Sequence, residues 1–560
     1  MADLYKKLSD ERKQMQKAAQ LPEWYTTGGW QLFKSKYLHG TDSFLGQASR
    51  IAATAAKHTY DPEKYQQKFF ELIWNGWLSC STPVLANMGT DRGLPVSCSG
   101  GYIDDSIDGF YSTRRETALL TKYGFGTSGY LGDIRPRGSS ISVGGKASGI
   151  LPVIKGFVQD SQDVSQGSTR RGAWAGYVEI THGDFWELIT YLENHPDDLN
   201  IGWVITDEFI KALQSGEEEA TNRYQQALKV KMVTGKGYFF FKDKVNRFSP
   251  NCYKERGFEV KASNLCNEIN LYSDESNTFT CVLSSLNLAK WDEWKDTDAV
   301  ETAIHFLDCV AEEFIQKATS ISGLEKAVEF TRKGRALGLG VCGYHTLLQQ
   351  KSLPWGSLEA GYLNQEIFAT IRSRAEAESI RLGAVYGIPE WCDDRRNTHL
   401  IAIAPTKSTA LLMGGVSEGI NPDPAMTYTQ TSAGGEINRV NPVLLEIMKD
   451  RKVFSKKHID EIVEANGSVQ GVTWLTDEEK LVFLTAFEID QFQILRHASQ
   501  RAKYIDQWQS LNLFFSSEES EEYISAVHKQ AFLDENIRGL YYVYSMAGVK
   551  AAKDECIACQ

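Results

Sequence analysis

The chain has 560 residues, 42% of them hydrophobic, which is ordinary usage for a globular protein and enough for a large buried core. With 60 basic against 72 acidic side chains the net charge is −12, which argues against broad nonspecific binding to nucleic acid or anionic membranes but allows a local basic pocket. No apolar run approaches the ~18–20 residues of a membrane helix, and the charged start MADLYKKLSDERKQMQK lacks a signal-peptide core, so a cytoplasmic protein is expected.

Residues 1–80 read as a helical region, with apolar and aromatic positions at helical spacing in 44–58 and 65–80. From about 81 to 180 glycine and serine dominate, which reads as short strands and loops, with 140–143 as one such run. Helical patterns return at 205–230, 298–320 and 363–386, separated by strand-like runs at 200–206 and 399–405. The segment 475–515 reads as helical again, and 546–560 as a small, polar, mobile tail. Alternation of this kind predicts an α/β architecture with one large catalytic domain over 81–545.

Two short motifs mislead. Gly338 to Gly343 fits a dinucleotide-binding fingerprint, but it follows the charged stretch 331–336 rather than a clear strand. Gly415 to Gly419 fits a hydrolase nucleophile elbow around Ser417, which makes a serine hydrolase a distant alternative, but INPDP follows where a helix should begin.

The informative segment is 263-SNLCNEI-269. In an extended chain Asn264, Cys266 and Glu268 alternate onto one face, gathering an amide, a thiol and a carboxylate. Cys98 and Cys281 lie in other apolar and glycine-rich runs, and Cys556 and Cys559 form a C-x-x-C that suits a dithiol or half of a zinc site. No second C-x-x-C accompanies it, so no metal site is expected in this chain. Tyr541 and Tyr542 are adjacent in a run that otherwise reads as core aromatics.

Taken in order, STPVLAN (81–87), SC (97–98), DDSIDG (104–109), QGSTRRGA (166–173), SNLCNE (263–268), FTCVLSSLNL (279–288), APTKSTALLMGGVSEGINP (404–422), QWQSLN (507–512), LYY (540–542) and the cysteine tail resemble the large, catalytic subunit of class I ribonucleotide reductases. The resemblance runs from about residue 20 to the C-terminus. It implies a ten-stranded α/β barrel with a central finger loop, preceded by the helical region.

It also implies roles. Cys266 would carry a thiyl radical that takes the 3′ hydrogen of the ribose, Glu268 would take the 3′-hydroxyl proton, and Asn264 would hydrogen-bond the ribose hydroxyls. Cys98 and Cys281 would be the reducing pair, and Cys556 and Cys559 would re-reduce their disulfide by thiol exchange. Tyr541 and Tyr542 would relay the radical from a metal-containing small subunit, which distinguishes class I from the adenosylcobalamin-dependent class II, the nearest alternative.

Thr82, Ser97 and the turn Pro405, Thr406, Lys407, Ser408, Thr409 would hold the substrate phosphates; Lys407 stands where many relatives carry glutamate. Asp105, Arg137, Arg170 and Arg171 would belong to a dNTP/ATP effector site. The resemblance further implies a thioredoxin- or glutaredoxin-type reductant, a homodimer when effector is bound and no cofactor held by this chain; where larger relatives carry an N-terminal ATP cone, this sequence has only about 20 residues before the matching region, so no cone is expected.

Overall fold

The computed structural model describes residues 2–40, 43–164, 172–432 and 435–545. Arg170, Arg171, Cys556 and Cys559 lie outside the described residues.

The described residues before 75 are mainly helical, as their periodicity predicts, but the helical reading of 65–80 ends at Trp74, and Leu78–Cys80 is a strand. Helices Phe44–Ala56 and Pro62–Trp74 start at side-chain caps: Ser43 accepts from the Gly46 N–H, and Asp61 accepts from that of Lys64. Their apolar faces, including Phe44, Ile51, Phe69 and Leu72, are buried, and both helices contact helix Ala299–Ala318.

Among the described residues thirteen strands follow: β1 (Leu78–Cys80), β2 (Cys98–Tyr102), β3 (Gly126–Tyr130), β4 (Trp174–Glu179), β5 (Ile201–Ile205), β6 (Tyr238–Phe241), β7 (Phe279–Asn287), β8 (Leu337–Cys342), β9 (Thr427–Ser432), β10 (Gly435–Val440), β11 (Leu513–Phe515), β12 (Gly539–Leu540) and β13 (Val543–Ser545). Strands β2 to β6 pair in parallel and in order. A second parallel series starts with β7 and β8. It continues by bridges from Leu339 to Ile401 and from Ile403 to Gln509, and then by the β11–β13 pair. The two series meet antiparallel at both seams, β2 against β7 and β6 against β12. Between these seams the Tyr541 N–H donates to the Leu511 carbonyl, so backbone hydrogen bonds run all the way round. Five staves in each half make the expected ten-stranded barrel.

Parts of the local reading are corrected. Region 81–180 contains two long helices, Ile107–Lys122 and Ile150–Asp163. In the first, Thr, Ser and Arg side chains masked the apolar stripe that buries Leu120; in the second, Pro152 and Gly156 masked the one that buries Ile154 and Phe157. Ser140 makes one bridge, to Lys146, and no strand. The segment 475–515 is helical only over Asp477–Val482 and Gln491–Ala502; from 507 it is a stave of the barrel.

The two misleading motifs are structural. Gly338 and Gly340 lie within β8, where an added Cβ would come 2.4 Å from Leu283 Cδ2 and 2.6 Å from the Ala402 carbonyl, so they serve close strand packing. Ser417 is fully buried, and its hydroxyl accepts from the Thr346 N–H at 3.2 Å.

Candidate active site

Residues 261–273 pass through the barrel as a finger. Ser128 of β3 donates to the Ser263 carbonyl at 2.8 Å, and Tyr177 of β4 donates to that of Asn264 at 2.6 Å. The Asn267 amide reaches the Phe239 carbonyl of β6 at 3.2 Å. From the opposite half, the Trp508 N–H donates to the Glu268 carbonyl at 2.9 Å, and the Ser510 hydroxyl donates to the Cys266 carbonyl at 2.8 Å. Held from both halves, the finger tip has little freedom to move.

The tip itself corrects the extended reading. The Asn267 N–H donates to the Asn264 carbonyl at 3.2 Å, closing a turn, and Asn267 adopts a left-handed φ of 63°. Asparagine tolerates that conformation better than most residues. The Asn264 Oδ1 fastens the turn by accepting the N–H groups of Glu268 at 3.1 Å and Ile269 at 3.2 Å. Its Nδ2 donates to Cys98 Sγ at 3.4 Å. Cys266 and Glu268 therefore face a cavity, while Asn264 is fully buried and does not line it.

That cavity opens to solvent, and the space within it and at its mouth comes to about 550 Å³. Cys98, Thr82, Ser97, and the whole turn from Pro405 to Thr409 line it together with Cys266 and Glu268. Cys98 and Cys281 are directly opposed across β2 and β7. Opposed residues of an antiparallel pair have Cα atoms about 4.5–5.5 Å apart, within the range a disulfide spans without backbone movement. Cys98 faces the cavity and Cys281 lies behind it, fully buried. Burial pushes the Cys281 thiol well above the ordinary range, which keeps it protonated at neutral pH; a hydrogen bond from the Gln507 amide at 3.3 Å opposes this in part.

Three hydroxyls on the cavity wall, those of Ser79, Ser81 and Ser97, are buried with no hydrogen-bond partner among the described residues. Buried polar groups are rarely left so. Thr82 accepts or donates a hydrogen bond with the Tyr37 hydroxyl at 3.1 Å.

Tyr541 and Tyr542 lie against each other with ring centroids 4.0 Å apart and planes tilted by 39°, beside Tyr238. The fully buried Lys231 anchors this segment by donating to the carbonyls of Gly237 and Tyr541. Burial lowers its pKa to about 7. Lys407 does not point to bulk solvent: its ammonium donates to the Tyr544 hydroxyl at 2.9 Å.

The candidate effector residues are less concentrated. Asp105 pairs with Arg135 at 2.6 Å, whereas Arg137 pairs with Glu187 at 2.6 Å. The structure brings Arg135, rather than Arg137, onto Asp105.

Sequence reasoning overlooked Gln507, Ser510 and Tyr544. Gln507 joins three parts of the site: it donates to Cys281 Sγ and to the Leu337 carbonyl, and it accepts from the Asn270 N–H. The clue was polar residues at 507, 509 and 510 in a run that otherwise reads as apolar core.

Comparisons with known proteins agree with this geometry. A family model described as "Ribonucleotide reductase, barrel domain" matches residues 96–221, 215–395 and 393–543, and one described as "Ribonucleotide reductase, all-alpha domain" matches 23–93. A ribonucleoside-diphosphate reductase large subunit of Frog virus 3 is 32% identical over 91% of this chain and 95% of its own length. A vitamin B12-dependent ribonucleoside-diphosphate reductase of Mycobacterium tuberculosis is 29% identical over 80% of this chain and 68% of its own. Among solved structures, the class Id ribonucleotide reductase alpha subunit of Actinobacillus ureae superposes with a TM-score of 0.87 at 36% identity, covering 94% of this chain and 98% of that one.

Proposed function

Because the chain belongs to the ribonucleotide reductase large-subunit family and therefore reduces ribonucleotides to deoxyribonucleotides, we propose how its own residues divide that reaction. The observation that carries the proposal is the direct opposition of Cys98 and Cys281 across two strands, with Cys98 sharing a cavity with Cys266 and Glu268.

The oxidising equivalent comes from a separate small subunit, as the relation to class I large subunits implies, and passes through Tyr542 and Tyr541. Cys266, as a thiyl radical, takes the 3′ hydrogen of the ribose. Glu268 accepts the 3′-hydroxyl proton, and Cys98 protonates the 2′-hydroxyl, which leaves as water. The Cys98–Cys281 pair supplies two electrons and its second hydrogen to C2′ and becomes a disulfide, Glu268 returns its proton to the 3′ oxygen, and Cys266 returns its hydrogen to C3′, which regenerates the thiyl. Per turnover, one ribonucleotide and two thiols give one deoxyribonucleotide, one disulfide and one water. Fixed convergence of these groups supplies the orientation such a sequence needs.

Asn264 acts here as a positioning residue that fastens the turn and orients Cys98, rather than as a ribose contact. Ser81, Ser97, Thr82 and the 405–409 turn receive the phosphates; the partnerless hydroxyls support this. Cys556 and Cys559 restore the disulfide with electrons from a thioredoxin- or glutaredoxin-type protein, and effectors act near Asp105.

The test is turnover by the full chain alone, with adenosylcobalamin, and with its small subunit. Activity is expected only with the small subunit. Cys266→Ser, Tyr541→Phe and Tyr542→Phe should each lower it at least about 100-fold, equivalent to about 2.7 kcal/mol of barrier. Turnover with adenosylcobalamin alone, or more than a few per cent of activity in any of the three variants, overturns the assignment.

A further inference from the structure

Lys407 belongs to two neighbourhoods. It lines the substrate cavity as part of the 405–409 turn. Its ammonium also donates to the Tyr544 hydroxyl at 2.9 Å and lies 5.6 Å from the ring centre of Tyr542 and 5.5 Å from that of Tyr544. The Tyr542 ring in turn lies 4.0 Å from that of Tyr541, centre to centre. One cation thus stands between the phosphate-binding turn and the outer end of the tyrosine row.

The two ends differ in freedom. Tyr544 is fixed by the β11–β13 pairing, where it is opposite Phe514, and by stacking on that ring at 5.2 Å and 14°. The lysine ammonium sits on a flexible four-carbon stem. A cation between a neutral phenol and a phosphate makes the stronger, charge-assisted bond to the phosphate.

We propose that Lys407 is a positioning residue that partitions between the Tyr544 hydroxyl and the substrate's phosphate, and so reports substrate occupancy to the tyrosine relay. With the cavity empty, the ammonium lies against Tyr542 and Tyr544, and its field opposes removal of an electron from either ring. With a nucleoside diphosphate in place, the ammonium is drawn away from both rings and that opposition falls. The inference rests on the phosphate-site reading above.

The partition predicts an effect opposite to that of ordinary damage. Tyr544→Phe removes the competing acceptor, so it should tighten binding of CDP to the full chain by about 3- to 10-fold, the range one hydrogen bond commands. Lys407→Met should weaken CDP binding, Lys407→Arg should restore most of it, and Tyr544→Phe in the Lys407→Met background should change nothing. Equilibrium dialysis measures all of these without turnover, and thermal unfolding checks that each variant is folded. Unchanged or weakened CDP binding in Tyr544→Phe, or a tightening that persists without Lys407, overturns the partition while leaving the phosphate site intact. If the unmodified chain binds no CDP, the phosphate-site reading fails, and the partition fails with it.

Discussion

In the finger turn, the Asn264 amide uses both its oxygen and its nitrogen on protein partners, whereas across the cavity the hydroxyls of Ser79, Ser81 and Ser97 have none. Both regions are polar and buried, yet one is complete and the other is not. A completed network fixes geometry, as the radical thiol proposed at Cys266, which must act on one hydrogen, requires. An incomplete one carries a desolvation cost that a bound ligand relieves. Mutation of the first region should therefore harm the protein, and mutation of the second should harm mainly the ligand's affinity.

The largest effect expected of this contrast is in the finger. Asn264→Ala leaves the Glu268 and Ile269 N–H groups buried without their acceptor, and at ~1–3 kcal/mol for each such group the fold should lose about 2–6 kcal/mol. Denaturant unfolding measures the loss, and a change under about 0.5 kcal/mol would show that the turn does not depend on its amide.

Next is the cavity wall. Ser97→Ala or Ser81→Ala removes a partnerless hydroxyl, so unfolding should be unchanged or slightly improved. Diphosphate affinity should fall by about 5- to 10-fold per hydroxyl lost. Stability that drops while affinity holds would invert the contrast.

The smallest effect concerns Lys231, which lies behind the proposed relay and donates to the Tyr541 carbonyl. Its folded pKa, about 7, is below the ordinary lysine value because of burial. Between the two values the unfolded chain binds the extra proton, so this group makes the protein more stable as pH rises above about 7; below that both states are protonated and its burial penalty is complete. Lys231→Met should flatten the rise in stability between pH 7 and 9, an interval within the shift. A slope identical to that of the unmodified chain would place the titration elsewhere.

The sequence was most legible where one element buries one face. The helices at 44–56 and 299–318 follow from their periodicity, and β5 follows from its apolar run. It was least legible where distant segments meet. No spacing rule indicates that residue 98 opposes residue 281, because that register depends on barrel closure. The finger illustrates a subtler limit. Alternation correctly grouped Cys266 with Glu268, but it placed Asn264 beside them, because a turn through a left-handed asparagine leaves no trace in a period of two. Lys407 was legible only as a cation near the phosphate turn; its second partner, Tyr544, is 137 positions away.

The seam between β6 and β12 has a consequence for biosynthesis. It joins residues about 300 positions apart, a stretch that a ribosome adding ~5–20 residues per second takes roughly 15–60 s to make. Throughout that interval Tyr238–Phe241, four aromatic residues in succession, has no strand to cover its outer edge. Such an edge invites pairing with a neighbouring nascent chain on the same message. The strand that finally shields it is the one leading into the tyrosines proposed as the relay, so on that proposal a nascent chain stops being sticky only as it acquires the means to be oxidised.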